Sequence, residues 1–342
     1  MVSSVISYIL HKALNYAAIM MVFSWVLNVL GAAITFVVRN DHGRPKTFRE
    51  FWRYLFPSGI FTRKSTRLDA AFYVIDHLDF IFILAPLLIG SSIISVLTYD
   101  GMTTLFGVHA QGPVTMGKWV FVAIVVTIAY DFAVFYMHYL DHKIQVLWQF
   151  HKVHHAAEYL IPITNRRFHP VQQIWDLNGE MLTVGSLLGF LSYAFSMPIV
   201  QDTILGVDIY YALNVMSFHH LRHSHINMSY GPLLEKWIMS PAQHHLHHSQ
   251  EAHHWDKNFG LLLSVWDRMF GTLVYSQPLG SFRVGLRENE GREFQSVYQF
   301  YTTPFVLLWR MVRDSRRPST EYVDADAEMP VSQTRLSVSP KS

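Results

Sequence analysis

The sequence predicts an all-α integral-membrane helical bundle, in which three spans and a helical hairpin carry a cytosolic, histidine-rich helical cap. Three observations lead to this prediction. Only 15% of the 342 residues are charged, against about 25% in soluble globular proteins, and 51% are hydrophobic. Several apolar runs approach the roughly 20 residues that a membrane-spanning helix needs. Histidine is unusually frequent, with 20 copies, and cysteine is absent.

The same composition excludes several classes of protein. A disordered chain and a disulfide-stapled secreted domain both require a different residue content. Without cysteine, the chain has no thiolate for a zinc finger, an iron–sulfur cluster or a cysteine nucleophile. The net charge of +2 carries no nucleic-acid signature, so we expect no nucleic-acid partner.

The first three spans follow from uninterrupted apolar runs. The first covers Ala13–Val38, which contains no charged residue between its start and Val38 and lacks the flanks of a cleaved signal peptide, so we interpret it as an anchor. The second covers Phe80–Thr98. The third covers Trp119–Met137 and contains a single acid, Asp131. Each run is close to the length that crosses a bilayer core.

A fourth apolar block, residues 181–218, is long enough for two helices. Pro198 lies in its middle, and the acids Asp202 and Asp208 lie in its second half. Proline ends or kinks a helix, so we predict a helical hairpin here and leave open whether it crosses the membrane fully.

The distribution of basic residues predicts the orientation. Eight lysines and arginines lie between Arg39 and Arg67, whereas residues 68–117 contain none. The positive-inside rule therefore places the loop 39–77 in the cytoplasm and the loop 99–117 outside. The third span and the hairpin then leave every later segment on the cytoplasmic face. This face belongs to the inner membrane of a bacterium or to the endoplasmic reticulum of a eukaryote.

The histidines are ordered along the chain, and sixteen of the 20 lie between His138 and His254. His138 and His142 are four residues apart and share one helical face. Two HxxHH boxes follow about ninety residues apart, and between them lies a central group. The boxes are His151, His154, His155 and His244, His247, His248, and the central group is His219, His220, His223 and His225.

A metal site explains this pattern better than packing does. Eight unliganded imidazoles held close together would protonate near pH 6.5 and repel one another, whereas a bound cation uses their lone pairs. Because one catalytic or structural metal takes three or four protein ligands, this number of histidines predicts two metals. Imidazole suits zinc, copper, iron and nickel, so the spacing alone does not identify the metal.

The order of these boxes resembles the fatty acid hydroxylase/sterol desaturase superfamily over roughly residues 120–275. The surrounding sequence is similar too: RRFHP (166–170) follows the first HxxHH box, and an HSHIN stretch (223–227) leads into the second. NFG (258–260), WDR (266–268) and FGT (270–272) then close the segment. One departure is Tyr139, where many members have arginine after the first histidine.

The resemblance implies a membrane-bound non-haem di-iron oxygenase, with two iron ions and O₂ as co-substrate, that hydroxylates a C–H bond of a lipid. It implies ten metal ligands: His138, His142, His151, His154, His155, His223, His225, His244, His247 and His248. It also indicates six residues that support these ligands: Asp131, Arg167, His169, His219, Asn227 and Asp267. Asp131 lies seven residues before His138, so we expect it to hydrogen-bond a ligand imidazole.

Three further histidines, in or just after the second HxxHH box, lie outside this ligand set, and the reaction also needs a source of electrons. His245, His253 and His254 have no counterpart in the family, and we expect them to be solvated or to have a secondary role. The chain contains no HPGG haem motif of a fused cytochrome b5. We therefore expect a separate electron donor of the cytochrome b5, ferredoxin or reductase type.

Two alternatives to a hydroxylase remain open. A lipid or sterol desaturase belongs to the same superfamily and uses the same ligands. A histidine-rich metal transporter belongs to another class, and it would distribute histidines and acids along its spans rather than at one face.

The sequence also predicts four regions. They are the N-terminal spans with the basic loop (1–117), a catalytic domain of the fatty acid hydroxylase type (118–275), a cap (276–312) and a disordered tail (313–342). Within the cap, Pro304–Val312 predicts a short amphipathic helix at the membrane interface.

Overall fold

The structure, a computed structural model, describes residues 2–38, 45–80, 84–198, 203–277 and 282–315, with no side chains described for 1–18, 201–208 and 288. Within this part of the chain the fold is all-α, and β-structure is restricted to two isolated bridges. The predicted fold class is confirmed.

Fourteen α-helices make up the described part. The longer ones are α1 (Val2–Val38), α3 (Lys64–Asp79), α4 (Ser91–Phe106), α5 (Met116–Lys143), α6 (Gln145–His155), α7 (Pro170–Ala194), α8 (Thr203–Met216) and α14 (Val297–Ser315). The shorter ones are α2 (Phe48–Leu55), α9 (His219–Arg222), α10 (Gly231–Leu234), α11 (Pro241–His247), α12 (Val265–Phe270) and α13 (Glu288–Gly291). Short 3₁₀ turns occur at Ile60–Thr62, Ala85–Leu87, Pro162–Arg166 and Ala252–His254.

Three helical segments of the described chain are long and apolar enough to cross a membrane: Ile19–Val38, Ala85–Phe106 and Met116–Lys143. The first segment covers most of the first predicted span, and the third segment covers all of the third predicted span. The second prediction, Phe80–Thr98, is displaced toward the N-terminus. Here α3 ends at Asp79, residues 81–83 lie outside the described residues, and α4 begins only at Ser91, after a 3₁₀ turn that contains Pro86 and after Gly90 at the N-cap.

Helices α4 and α7 pack closely through two glycines one helical turn apart. A Cβ atom on Gly185 would lie 2.6 Å from the carbonyl oxygen of Ser91, and one on Gly189 would lie 2.4 Å from that of Ser95. The hydroxyl of Ser95 also donates a hydrogen bond to the carbonyl oxygen of Gly185 at 3.0 Å. Small residues at this spacing let two helix backbones approach, which is typical of membrane helices.

Helices α7 and α8 occupy the block 181–218 in which a hairpin was expected, and the chain between them, residues 199–202, lies outside the described residues. Helix α7 begins earlier than predicted, at Pro170, because His169 caps its first turn and proline is favoured at the first helical position. Its other face packs on α5 through Val126, Val184 and Leu188. Asp202, in the predicted turn, lies outside the described residues, and so does the side chain of Asp208.

The C-terminal helix is longer than the predicted Pro304–Val312. Helix α14 begins at Val297, where the hydroxyl of Ser296 accepts a hydrogen bond from the amide of Gln299, and it contains Pro304 in its interior. Phe300 of this helix packs against Phe72 of α3 with ring centroids 5.5 Å apart. Most of the predicted tail, residues 316–342, lies outside the described residues.

The close approach of α4 and α7 makes a testable prediction. We expect Gly185→Ala to lower the melting temperature of the purified protein, because the new methyl group meets backbone atoms that cannot turn away. Gly101→Ala, also in α4, is the matched control, since a Cβ atom there would meet no described atom within 4 Å beyond its chain neighbours and its own helix backbone. Equal melting temperatures for the two variants in one detergent would contradict this packing.

Candidate metal centre

Helices α5 and α6 position five histidines at one end of the bundle. His138 and His142 occupy the last turns of α5, and the chain turns at Ile144 directly into α6. Helix α6 carries His151, His154 and His155 in its last two turns. The short connection places the first HxxHH box beside the end of the third candidate span.

Helix α11 presents the second HxxHH box, and its start is fixed by a capping box. The hydroxyl of Ser240 accepts from the amide of Gln243 at 3.1 Å, and the side chain of Gln243 accepts from the amide of Ser240 at 3.0 Å. The fully buried carboxylate of Glu235 accepts from the hydroxyl of Ser240 at 2.8 Å and from the amide of Ser276 at 2.9 Å. These bonds fix the register of a seven-residue helix that is too short to be stable alone.

The histidines form two groups whose ring nitrogens converge. We call them the five-histidine cluster (His138, His142, His151, His155 and His247) and the four-histidine cluster (His154, His223, His244 and His248). Within each, one ring nitrogen from every member lies within 4.8 Å of the others. The clusters adjoin, since the rings of His155 and His248 are 4.5 Å apart between centroids.

Helix geometry explains why each HxxHH box serves both clusters. With 3.6 residues per turn, positions i and i+4 lie about 40° apart, whereas i+3 lies about 60° to the other side of i. On α6, the i,i+4 pair His151 and His155 enters the five-histidine cluster, and His154 enters the other. The second box does the reverse, with His244 and His248 in the four-histidine cluster and His247 in the other.

The four-histidine cluster has the spacing of a metal site. Nε2 of His223 lies 3.1 Å from Nε2 of His154, 3.1 Å from that of His244 and 3.2 Å from that of His248. One imidazole nitrogen carries at most one proton, so these three contacts cannot all be hydrogen bonds. Ligands about 2.1 Å from a tetrahedral ion are about 3.4 Å apart, close to the spacing seen here. The donor set therefore fits a metal ion.

The five-histidine cluster fits a second ion. The Nε2 atoms of His138, His142 and His247 are buried and have no hydrogen-bond partner among the described residues. On the opposite side of two of these rings, Nδ1 lies 2.8 Å from a carbonyl oxygen, that of Phe259 for His138 and that of Lys257 for His247. A proton on Nδ1 leaves the lone pair of Nε2 free to bind a metal.

The histidines outside α5 are held in the neutral state that metals require. Burial, followed by repulsion from neighbouring imidazoles, lowers the pKa of each well below its usual value. This applies to His151, His154, His155, His223, His244, His247 and His248. Their lone pairs are therefore available at neutral pH.

The loop that accepts from His138 is itself fixed by Asp267. Its carboxylate accepts from the amide of Phe259 at 2.8 Å and from that of Gly260 at 2.7 Å. A Cβ atom on Gly260 would lie 2.9 Å from Asp267 Oδ2 and 2.6 Å from the carbonyl oxygen of Leu263, so only glycine fits here. Asp267 thus positions the carbonyl group that holds the ring of His138.

The structure does not place all predicted ligands together. His225 lies outside both clusters, with Nε2 2.7 Å from the carbonyl oxygen of Tyr54. His219 lines the adjoining cavity without joining a cluster, and it lies against the ring of His220 at 3.9 Å. His245, for which a solvated or a secondary role was expected, is buried outside both clusters, with Nε2 3.0 Å from the carbonyl oxygen of Leu221; burial lowers its pKa to about 4.

The expected role of Asp131 is not seen. Its carboxylate accepts from the indole nitrogen of Trp266 at 2.7 Å and from the amide of Leu263 at 3.3 Å, rather than from an imidazole. Seven residues along a helix span about 10 Å, so a shared face leaves Asp131 two turns below His138. It fixes the start of α12 against α5.

Three further residues that were expected to support the ligands, Arg167, His169 and Asn227, have contacts elsewhere. The buried Arg167 donates to Asp69 at 2.8 Å and stacks on Phe300, which ties the RRFHP stretch to α3 and α14. His169 caps α7 by accepting from the amide of Val171 at 3.1 Å, and burial lowers its pKa to about 4. Asn227 lines a separate cavity of about 240 Å³ that also contains His225 and His245.

Three polar side chains that the sequence did not single out support the ligands. The amide of Gln172 and the carboxylate of Asp141 lie 2.7 Å and 3.5 Å from Nδ1 of His151. The carboxylate of Asp256 lies 3.5 Å from Nδ1 of His142. Asp141 could have been suspected from the sequence, because it directly precedes His142. Gln172 could not, because it lies 21 residues after His151.

A cavity of about 410 Å³ adjoins both clusters. Its lining includes His138 and His151 of the five-histidine cluster and His154, His223 and His244 of the four-histidine cluster. Its volume lies in the usual range for small-molecule sites. The cavity therefore gives a ligand direct access to both candidate metal positions.

Comparison with known proteins agrees with this geometry. The family model described as fatty acid hydroxylase matches residues 123–272. Alkylglycerol monooxygenase from Danio rerio is 28% identical over 166 residues, which cover 45% of this chain and 33% of that protein. Ornithine lipid hydroxylase OlsE from Rhizobium tropici is 26% identical over 165 residues, covering 48% of this chain and 45% of that protein.

Delta(7)-sterol 5(6)-desaturase erg3B from Aspergillus fumigatus is 24% identical over 148 residues, covering 43% of this chain and 37% of that protein. The matched region thus spans between a third and a half of these relatives. No solved structure matches the chain.

His154 belongs to the four-histidine cluster and His225 belongs to neither cluster, so replacing them should have different effects on metal content. We expect His154→Ala to lower the iron bound per chain from two toward one, because it removes a ligand from the four-histidine cluster. His225→Ala should keep the full content, since its ring contacts a backbone carbonyl. Elemental analysis of both purified variants after iron loading measures this, and an equal loss in both would contradict the clusters.

The role of Asp267 predicts an effect on metal affinity without the loss of a ligand. Each carboxylate oxygen of Asp267 accepts from one backbone amide, so in Asp267→Asn one of these two acceptors becomes an NH₂ group and the carbonyl that holds His138 shifts. Changes to groups that orient ligands typically cost about 10–100-fold in metal affinity. A chelator titration measures it, with Glu293→Gln at an exposed ion pair as control. An unchanged midpoint in Asp267→Asn would contradict the positioning role.

Proposed function

Since the chain belongs to the fatty acid hydroxylase/sterol desaturase superfamily, we propose that it is a membrane-bound di-iron monooxygenase that hydroxylates a C–H bond of a lipid. The reaction combines substrate R–H with O₂, two electrons and two protons to give R–OH and water. The observation that carries this proposal is the pair of adjoining histidine clusters that share one cavity.

The proposed ligands are the nine histidines of the two clusters, within a catalytic domain of residues 118–275. Iron bound there would activate O₂ for attack on the C–H bond. The protein contributes orientation and exclusion of water. The carbonyl oxygens of Phe259 and Lys257 hold the Nδ1 protons of His138 and His247, and the carboxylate of Asp141 lies 3.5 Å from Nδ1 of His151.

Hydroxylation is favoured over desaturation by the relatives. Alkylglycerol monooxygenase and ornithine lipid hydroxylase are both hydroxylating enzymes by name, and they match at higher identity than the sterol desaturase. A metal transporter is disfavoured, because the nine histidines gather at one end of α5 rather than along the spans.

We also propose a multi-pass membrane protein whose histidine clusters face the cytoplasm. Three apolar helices support the membrane location, and the basic residues before Leu68 support the orientation. A cytoplasmic site is accessible to a soluble or membrane-bound donor, so we propose a separate electron donor of the cytochrome b5, ferredoxin or reductase type.

The direct test is incorporation of ¹⁸O. Iron-loaded protein with a reductant, ¹⁸O₂ and a panel of alkylglycerols, aminolipids and sterols should give a lipid product containing one ¹⁸O atom. His154→Ala should give none, because it lacks a proposed ligand. An alkene without ¹⁸O would establish desaturation instead, and one zinc per chain with no oxidised lipid would overturn the oxygenase proposal.

A further inference from the structure

One wall of the cavity that adjoins both clusters carries three carboxyl groups that pair with no lysine or arginine of the described chain. Asp141 on α5 and Asp176 and Glu180 on α7 line this wall. The amide of Gln172 donates to Asp141 at 2.8 Å and to Asp176 at 3.1 Å, and the hydroxyl of Tyr130 donates to Glu180 at 2.9 Å. Among the described residues, no lysine or arginine lies within 4 Å of these groups.

The oxygens of this wall are also incompletely bonded. Oδ1 of Asp141 and Oδ1 of Asp176 are buried and accept no hydrogen bond from an amide, hydroxyl or basic group of the described residues, and these two carboxyl groups lie within hydrogen-bond distance of each other. Buried carboxylates are costly unless they are paired or hydrogen-bonded. A ligand group that donates several hydrogen bonds, such as an ammonium group, would satisfy them.

A second, independent feature lies on the wall formed by α8 and α9. Arg222 is 3% exposed and lines the same cavity. Its Nη atoms donate to the neutral side chains of Asn214 at 3.0 Å and Ser217 at 2.7 Å, whereas Nε has no partner among the described residues. In the described part of the chain, no carboxylate lies within ion-pair distance of this guanidinium. A buried arginine in this state is an anion receptor that lacks its anion.

We propose that the cavity binds a zwitterionic lipid head group, with its ammonium end at Asp176 and Glu180 and its anionic end at Arg222. This inference rests on the proposed function, because the cavity is taken as the substrate site. An alkyl chain in this position would leave both sets of charges unpaired. The head group therefore enters next to the candidate metal positions, and the oxidised carbon lies in or near the head group rather than far along a chain.

The proposal can be tested by binding, without turnover. Full-length protein in nanodiscs, without reductant, is titrated calorimetrically with N-octanoyl-lysine, which has a free carboxylate and a free ammonium group. Its ε-N-acetylated form and its methyl ester each lack one charge, and 1-O-octylglycerol lacks both. We expect each single loss to weaken binding at least tenfold, because each removes charge-assisted hydrogen bonds.

Variants test which wall of the cavity contacts the ammonium group of the probe and which wall contacts its carboxylate. In Asp176→Asn/Glu180→Gln, acetylation of the probe should no longer weaken binding, and in Arg222→Gln, esterification should no longer do so. Arg310→Gln, at an exposed ion pair with Glu293, is the matched control and should bind like the wild type. If a cavity variant does not fold, the probe series on the wild type still decides the question.

The outcomes separate this inference from the proposed function. Octylglycerol binding as tightly as N-octanoyl-lysine, or equal effects of both probe modifications in every variant, would overturn the zwitterionic site. Tight, charge-dependent binding without any ¹⁸O product would leave the site intact and contradict the oxygenase proposal. Hydroxylation of an uncharged lipid at a carbon far from its head group would overturn only the inference made here.

Discussion

Nine imidazole rings turn a nitrogen toward one buried space at the end of α5, and the neighbouring helices and loops hold them there. The Nε2 atoms of His154, His244 and His248 lie 3.1–3.2 Å from that of His223, and those of His244 and His248 lie 3.2 Å apart, which is too many contacts for hydrogen bonds between neutral rings. A cation turns this mutual repulsion into ligation. The helices set the position of each ring along the chain, and backbone carbonyl groups of the loops fix the orientation of the rings.

The supporting layers show how this orientation is maintained. Asp267 binds two backbone amides and thereby fixes the carbonyl group that holds His138. Glu235 fixes the start of α11 and with it three ligands of the second box. Both carboxylates are fully buried and neither contacts a ligand ring in the described structure, which separates the task of folding from the task of metal binding.

Much of the site could be predicted from the sequence, because HxxHH spacing on a helix fixes which side chains share a face. The division of each box between two clusters requires the tertiary arrangement, and so does the choice between His223 and His225, which are two residues apart. Backbone acceptors such as the carbonyl group of Phe259 cannot be predicted from residue types, because every residue has a carbonyl group. Asp131 shows the limit of face arguments, since a shared face says nothing about the distance along the helix axis. The second span was displaced, since α4 begins only after the 3₁₀ turn with Pro86 and after Gly90, within an apolar run that composition alone treats as continuous.

In this arrangement each histidine cluster binds its own metal ion. Anomalous diffraction at the iron edge, recorded from crystals of the iron-loaded protein, locates these ions. We expect two separate peaks, one among His154, His223, His244 and His248 and the other among the five histidines of α5, α6 and α11. A single peak, or a peak at His225 with none in the four-histidine cluster, would contradict the account.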